Sequence, residues 1–221
     1  MWYDMNLEDD HMDENIKSIR RVQQQALAKT LENNGFAVTL LDGREDVLRF
    51  LKENIPAGSS VGVGGSATLK ECGVIDWLTG NSDYDFIDRY HTDDKKAAFR
   101  QALLADVFLM STNAITMDGM LYNIDGTGNR LAALIYGPDK VYVVAGANKM
   151  AADLDDAVRR VETIAAPANC IRLGLDNPCT KAGHCLHCKS ETSICNQYVL
   201  TRRCNPRGRI HVLLIAEDLG Y

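Results

Sequence analysis

The stretch from Asp106 to Gly146, DVFLMSTNAITMDGMLYNIDGTGNRLAALIYGPDKVYVVAG, alternates apolar runs with a polar, glycine-rich turn and a helical pattern. DVFLMS, MLYNID and KVYVVAG read as strands, and GNRLAALIYG reads as a helix opening near Gly128. Strand, helix and strand at these lengths make the βαβ crossover of a parallel sheet. The partner of MLYNID stays open, because a hairpin with DVFLMS would add an antiparallel element.

The rhythm extends in both directions. Upstream, FAVTLL (36–41) is a strand, and Asp42 with Glu45 three residues on resembles a capping box for a helix ending near Asn54. SSVGVGGSATLKECG reads as a strand, a Gly-Gly turn and a helix from Ser66; YDFID is a strand, and TDDKKAAFRQALLA a helix with Thr92 as N-cap. Downstream, DLDDAVRRVETIAAPA is a helix, and RIHVLLIAEDL, apolar almost throughout, suits a strand buried on both faces. Residues 1–34 carry an N-terminal amphipathic helix from about Asn6, with Ile16, Ile19, Ala26, Leu27 and Leu31 at helical spacing and Gly35 as its stop. Its apolar stripe suits packing on its own sheet, with a homo-oligomer seam as the other use. The expectation is one α/β domain over 1–221: three layers, a mostly parallel sheet with helices on both faces, and a Cys-rich irregular insertion at 170–208 near the carboxyl end.

Composition narrows the function. The chain has 221 residues, 46% of them hydrophobic, and a formal net charge of -6. No global positive field exists to hold a polyanion, so no nucleic-acid partner is expected; Arg202, Arg203, Arg207 and Arg209 read as a solvated turn. No apolar run approaches a membrane span, and the start, MWYDMNLEDDHMDEN, is acidic where a signal peptide would be basic. A cytoplasmic protein with no membrane insertion is expected, and in a reducing compartment the seven cysteines point to metal or redox chemistry over disulfides.

Three constellations carry chemistry. In VGVGGSATL, Gly64, Gly65 and Ser66 stand between a strand and a helix, where free amides suit an anion; neither a dinucleotide fingerprint nor a P-loop is complete. The run NAITMDGMLYNIDGTGNR crowds polar groups and glycines together, and Asn113, Asn123, Asp125, Gly126, Thr127, Gly128, Asn129 and Arg130 form the expected site for a small anionic metabolite. Asp118 or Asp125 would be the general acid or base there, with no His or Cys near in sequence to make a nucleophile pair. In PCTKAGHCLHCKSETSIC, Cys179, Cys185, Cys188 and Cys195 are spaced C-x5-C-x2-C-x6-C, a set able to wrap one tetrahedral zinc or one [4Fe–4S] cluster; His184 and His187 offer a mixed zinc set. Cys170 and Cys204 flank it as spare ligands or plain residues. Trp77 and His211 read as core residues.

GVGGSATLKECGV, NAITMDGMLYNIDGTGNRLAALIYGPDKVYVVAGANK, RLGLDNPCTKAGHCLHC and RIHVLLIAEDLG together resemble the LUD (lactate utilisation) domain family, from about Ile16 to the carboxyl end. The resemblance implies a three-layer fold similar to the isomerase and CoA-transferase-like proteins, and an association with bacterial or archaeal oxidation of lactate to pyruvate, alongside other lactate-oxidation subunits. CoA-transferase relatives use a glutamate nucleophile, and neither Gly-rich segment has one. The leading expectation is an accessory or subunit of 2-hydroxyacid oxidation that binds a small anion and a metal or Fe–S centre. The alternatives are an isomerase or transferase acting on a sugar phosphate or acyl-CoA, and a regulatory metabolite-binding module with a structural zinc.

Overall fold

The computed structural model describes residues 14–221. Six strands form a parallel sheet: β1 (Ala37–Leu41), β2 (Ser60–Val63), β3 (Asp85–Phe86), β4 (Val107–Met110), β7 (Lys140–Gly146) and β10 (Ile210–Ile215). Four others, β5 (Ala114–Thr116), β6 (Leu121–Asp125), β8 (Met150–Ala151) and β9 (Gln197–Thr201), form a second sheet. Between them run α1 (Glu14–Asn33), α2 (Arg44–Asn54), α3 (Ala67–Glu71), α4 (Val74–Thr79), α5 (Lys95–Gln101), α6 (Asn129–Ile135), α7 (Leu154–Arg160), α8 (Ala166–Arg172) and α9 (Cys179–Ala182). The order across the large sheet is β1-β10-β7-β4-β2-β3.

Strand alternation explains the layering. Along β7, Val141, Val143 and Ala145 meet Leu27 and Leu31 of α1 and Leu131 and Leu134 of α6, while Tyr142 and Val144 turn to Val47 and Leu51 of α2, Leu69 of α3 and Leu78 of α4. Both faces are therefore apolar, as a parallel sheet covered on both sides requires. β10, expected to be buried on both faces, lies between β1 and β7.

Several local expectations are completed or corrected. The partner of MLYNID, which the sequence left open, is Ala114–Thr116 on one side and β9 on the other, so β4 stays in the parallel sheet and the hairpin founds the second one. Part of the Cys-rich insertion is thus regular, because β9 needs β6 as its partner. Helix α2 is capped by Asp46, whose carboxylate accepts the Gly43 amide at 3.2 Å, in place of Asp42 and Glu45. Asp94, accepting from the Ala97 amide, caps α5 where Thr92 was expected. The first helix is observed from Glu14; the part expected from Asn6 lies outside the described residues. Helices α7 and α8 are joined by a π-helical turn, Val161–Ala165.

Arg209 donates to the carbonyls of Ala133, Leu134 and Pro138, and Arg207 to that of Glu32, so two of the four clustered arginines hold the fold together. Among the described residues no helix is long and apolar enough to cross a membrane. Trp77 packs edge-on to Tyr84. His211 lies against Phe50 and Tyr142 and shares a 2.9 Å hydrogen bond with Thr39. Burial, then the charge of Lys140, pushes its imidazole down from 6.5 to about 4. Between those values the unfolded chain binds a proton that the folded chain refuses, so stability falls as pH falls through the window, by on the order of 1–2 kcal/mol for this part-exposed ring. Urea midpoints at neutral pH and at about pH 5 should differ, and His211→Gln should narrow the gap.

Candidate functional site

The chain leaves β2 for β3 on one side and returns to β4 on the other, which puts the topological switch point between β2 and β4. Open α/β sheets bind ligands at such a point, beyond the carboxyl ends of the strands. A cavity of about 320 Å3 lies there. Gly65, Ser66 and Thr68 line it after β2, Ser111 and Asn113 after β4, and Lys149 after β7.

Arg130 organises the wall. One terminal nitrogen donates to the Ser111 carbonyl at 2.9 Å and to Asn123 Oδ1 at 2.8 Å; the other donates to Asn113 Oδ1 at 3.0 Å and to the Ile124 carbonyl at 2.6 Å. The side chain is 11% exposed and its Nε faces Asp125 at 3.9 Å. All four terminal protons are spent on the protein, so Arg130 contributes charge and shape to the cavity in place of the bidentate anion grip suggested by sequence. Gly64 makes room for it: a Cβ there would stand 3.0 Å from Arg130 Cδ. Asp125 is also engaged, accepting the amides of Gly126 and Leu131 and so capping α6. Gly128, at φ 80°, forms the turn into that helix.

The electrostatics come from residues that sequence reasoning missed. Lys149 is 2% exposed, and its ammonium donates to Thr68 Oγ1 at 2.9 Å, Ser111 Oγ at 2.8 Å and the Tyr221 backbone oxygen at 3.4 Å. Burial, then the charges of Arg160 and Arg130, pushes it down to about 7. Arg89 lies over the Phe99 ring at 4.5 Å and, among the described residues, has no hydrogen-bond or ion-pair partner. With Arg130 and Arg172, these make four cationic side chains on the cavity wall against one acidic side chain, that of Asp125. Of the four, Lys149 is the buried cation with no acidic side chain in pairing distance among the described residues, and such a charge favours an anion nearby.

Of the eleven residues expected to contact a ligand, eight line the cavity: Gly65, Ser66, Asn113, Asp125, Gly126, Thr127, Asn129 and Arg130. Gly64 and Asn123 stand behind Arg130, and Gly128 serves the turn. Asn123 is 0% exposed, and its Nδ2 has no partner among the described residues. Asp118 is not brought to the cavity: it accepts from the Thr116 hydroxyl in the β5–β6 turn, where Asn34 donates to its carbonyl.

The cysteines gather beside this cavity. Cys170, Cys179, Cys185, Cys188 and Cys195 line a second cavity of about 130 Å3, and Ala166 and Ile194 line both. Cys204 is elsewhere, in the main core, where its thiol donates to the Pro206 carbonyl and accepts the Ile210 amide. Within the C-x2-C loop, His187 adopts φ 49° and its amide donates to Cys185 Sγ at 3.3 Å, the turn that brings Cys185 and Cys188 to one side. Bonds to Ser190 draw Cys188 down. Burial, with a hydrogen bond to Cys170 and the neighbouring thiols, pushes Cys179 up to about 11; burial and those thiols push Cys195 up to about 12. Thiolate and imidazole are metal-ligating groups, and these thiols share one small cavity, but among the described residues no three of the cysteine sulfurs lie within 4.8 Å of one another. The tightest convergence is Glu162, Cys185 and His187, whose donor atoms lie within 4.8 Å of one another. Glu162 stands on the π-helical turn, a feature frequent at functional sites.

The LUD domain profile matches residues 24–215. Among solved structures, a DUF162 family protein from Deinococcus radiodurans is similar, with a TM-score of 0.51 and 15% identity over 89% of this chain and 98% of that one, a likeness of fold. No curated protein matches the sequence.

Proposed function

Since the chain belongs to the LUD domain family, tied as a family to lactate utilisation, we propose that it serves 2-hydroxyacid oxidation by holding a small carboxylate metabolite at the β2–β4 switch point. The observation that carries this reading is the cavity wall itself, where Lys149 and Arg89 lack any acidic side-chain partner among the described residues. A volume of about 320 Å3 suits a small metabolite and is at the low end for ligand pockets, which disfavours acyl-CoA. Arg89 and Arg172 attract the carboxylate, Lys149 adds positive charge behind the Ser111 hydroxyl it donates to, and Asn113 and Asp125 set the rim.

Cys179, Cys185, Cys188 and Cys195 are the residues to hold a [4Fe–4S] cluster, with Cys170 beside them. Such a cluster, when bound, accepts and passes single electrons. Glu162 and His187 beside Cys185 favour zinc as the second reading. Brown anaerobic protein with iron and sulfide supports the first; colourless protein with stoichiometric zinc supports the second and removes electron transfer. In either case the chain's place beside other lactate-oxidation subunits is part of this proposal.

Calorimetry with lactate and pyruvate tests the anion site. Lys149→Met and Arg89→Ala should each weaken binding roughly 10–100-fold, the worth of a charge-assisted hydrogen bond. Equal affinity in both variants would remove the site. Binding of lactate, which has no carbonyl at C2, should also take up a proton near neutral pH, because an anion favours the ammonium of Lys149, and its affinity should fall as pH rises above about 7. The ligand-free protein should behave oppositely. The folded value of about 7 lies below the ordinary 10.5, so between them the unfolded chain holds a proton that the folded chain has lost, and stability from this group rises with pH. Calorimetry in two buffers of different ionisation enthalpy reads the proton uptake.

A further inference from the structure

Lys149 follows β7 at the carboxyl ends of the sheet and is almost sealed, yet it lines the anion cavity. Its Nζ touches three oxygens, those of Thr68, Ser111 and the Tyr221 backbone, and among the described residues no Asp or Glu side chain pairs with it. An interior lysine kept permanently charged is ordinarily paired with a carboxylate. Here burial presses the other way, the guanidinium groups of Arg160 and Arg130 add to it, and the carboxylate of Glu71 opposes them without pairing. A desolvated lysine beside other cations is the arrangement that frees a neutral amine for attack on a carbonyl. The cavity wall holds no Cys or His, so Lys149 is its nitrogen nucleophile among the described residues.

We propose that Lys149 forms an imine with the C2 carbonyl of a 2-oxo acid bound in this cavity, an inference that rests on the cavity being an anion site. The neutral Nζ adds its electron pair to C2, and the carbonyl π pair moves to oxygen, which is protonated. The nitrogen then sheds its protons as the oxygen leaves as water, so one C–N double bond replaces one C–O double bond with no change of oxidation state. The Ser111 hydroxyl, 2.8 Å from Nζ and with only a long 3.4 Å bond to the Thr112 carbonyl, is placed to pass the proton to the departing oxygen. Arg89 and Arg172 face the carboxylate meanwhile.

Trapping tests this. The protein is incubated with pyruvate and cyanoborohydride, digested, and mapped by mass spectrometry. The peptide carrying Lys149 should gain the mass of pyruvic acid less one oxygen, well above any gain on exposed lysines such as Lys52 and Lys181. Lys149→Met should give no adduct on that peptide, while the small gain on exposed lysines such as Lys52 and Lys181 stays as in the parent. Pyruvate binding by the parent without an adduct at Lys149 would overturn the imine and leave the anion site standing. No pyruvate binding by the parent would remove the anion site and the imine with it.

Discussion

Arg130→Met should cost about 3–5 kcal/mol, the penalty for breaking a buried charged network. The side chain bridges three segments, since its terminal nitrogens serve Ser111 after β4, Asn113 before β5, and Asn123 and Ile124 in β6. Methionine fills a similar volume and returns none of the donors, so the Ser111 and Ile124 carbonyls lose this partner and the Asn113 and Asn123 side-chain oxygens are left with one backbone amide each. Arg130→Lys should recover only part, because one ammonium cannot span acceptors arranged for a planar fork. For a chain of this size the methionine variant should melt roughly 10 °C lower, read by circular dichroism or calorimetry. A drop of a degree or two would mean that the network is wet and that the wall of the cavity is set by something else. The expected loss also explains why a position that lines the cavity should not be read as a ligand contact alone.

How far sequence reached can be judged from particular residues. Parallel strands announce themselves through runs such as KVYVVAG and RIHVLLI, where apolar residues occupy both faces, and the observed sheet contains both at its centre. The second sheet was hidden, because β5 has three residues and β8 two, too short to carry a period. The glycine and asparagine density around 113–130 pointed to the right place, since loops at a switch point need turn residues. It said nothing of which polar atoms are free, and Arg130 and Asp125 turn out to be engaged by the protein. Lys149, Arg89 and Arg172 come from three separate segments, and only the topology collects them. The one local hint was a lysine directly after a buried strand, in GANKM. Among the cysteines, spacing named four lining residues, while Cys170 needed the turn of α8 to join them and Cys204 was drawn into the core by the strand that follows it.

Removing the thiol set should loosen one region and weaken binding in another. On the proposed metal or cluster site, the double variant Cys185→Ser, Cys188→Ser should purify with less metal than the parent, measured by elemental analysis and visible absorption. Thiolate is the ligand in either chemistry, and a serine hydroxyl stays protonated at neutral pH. Residues 177–196 are held in part by the Asn177–Thr192 pair of hydrogen bonds and otherwise have little regular structure, so without a central ion their amides should exchange roughly 10–100-fold faster. The large-sheet cores do not include this loop, and the melting of the whole should change little. Anion affinity should nevertheless fall, because the loop rests on the cavity's rim. Asn196 donates its backbone amide to the Asp125 carbonyl at 2.9 Å and its side-chain amide to the Gly126 carbonyl at 3.0 Å. Ile194 sits so close that a Cβ on Gly126 would stand 3.2 Å from its Cα. Loosening those contacts frees the turn that presents Asp125 and Gly126 to the ligand. Unchanged exchange, metal content and affinity in the double variant would show that this loop folds without a metal, and that the two adjoining cavities act independently.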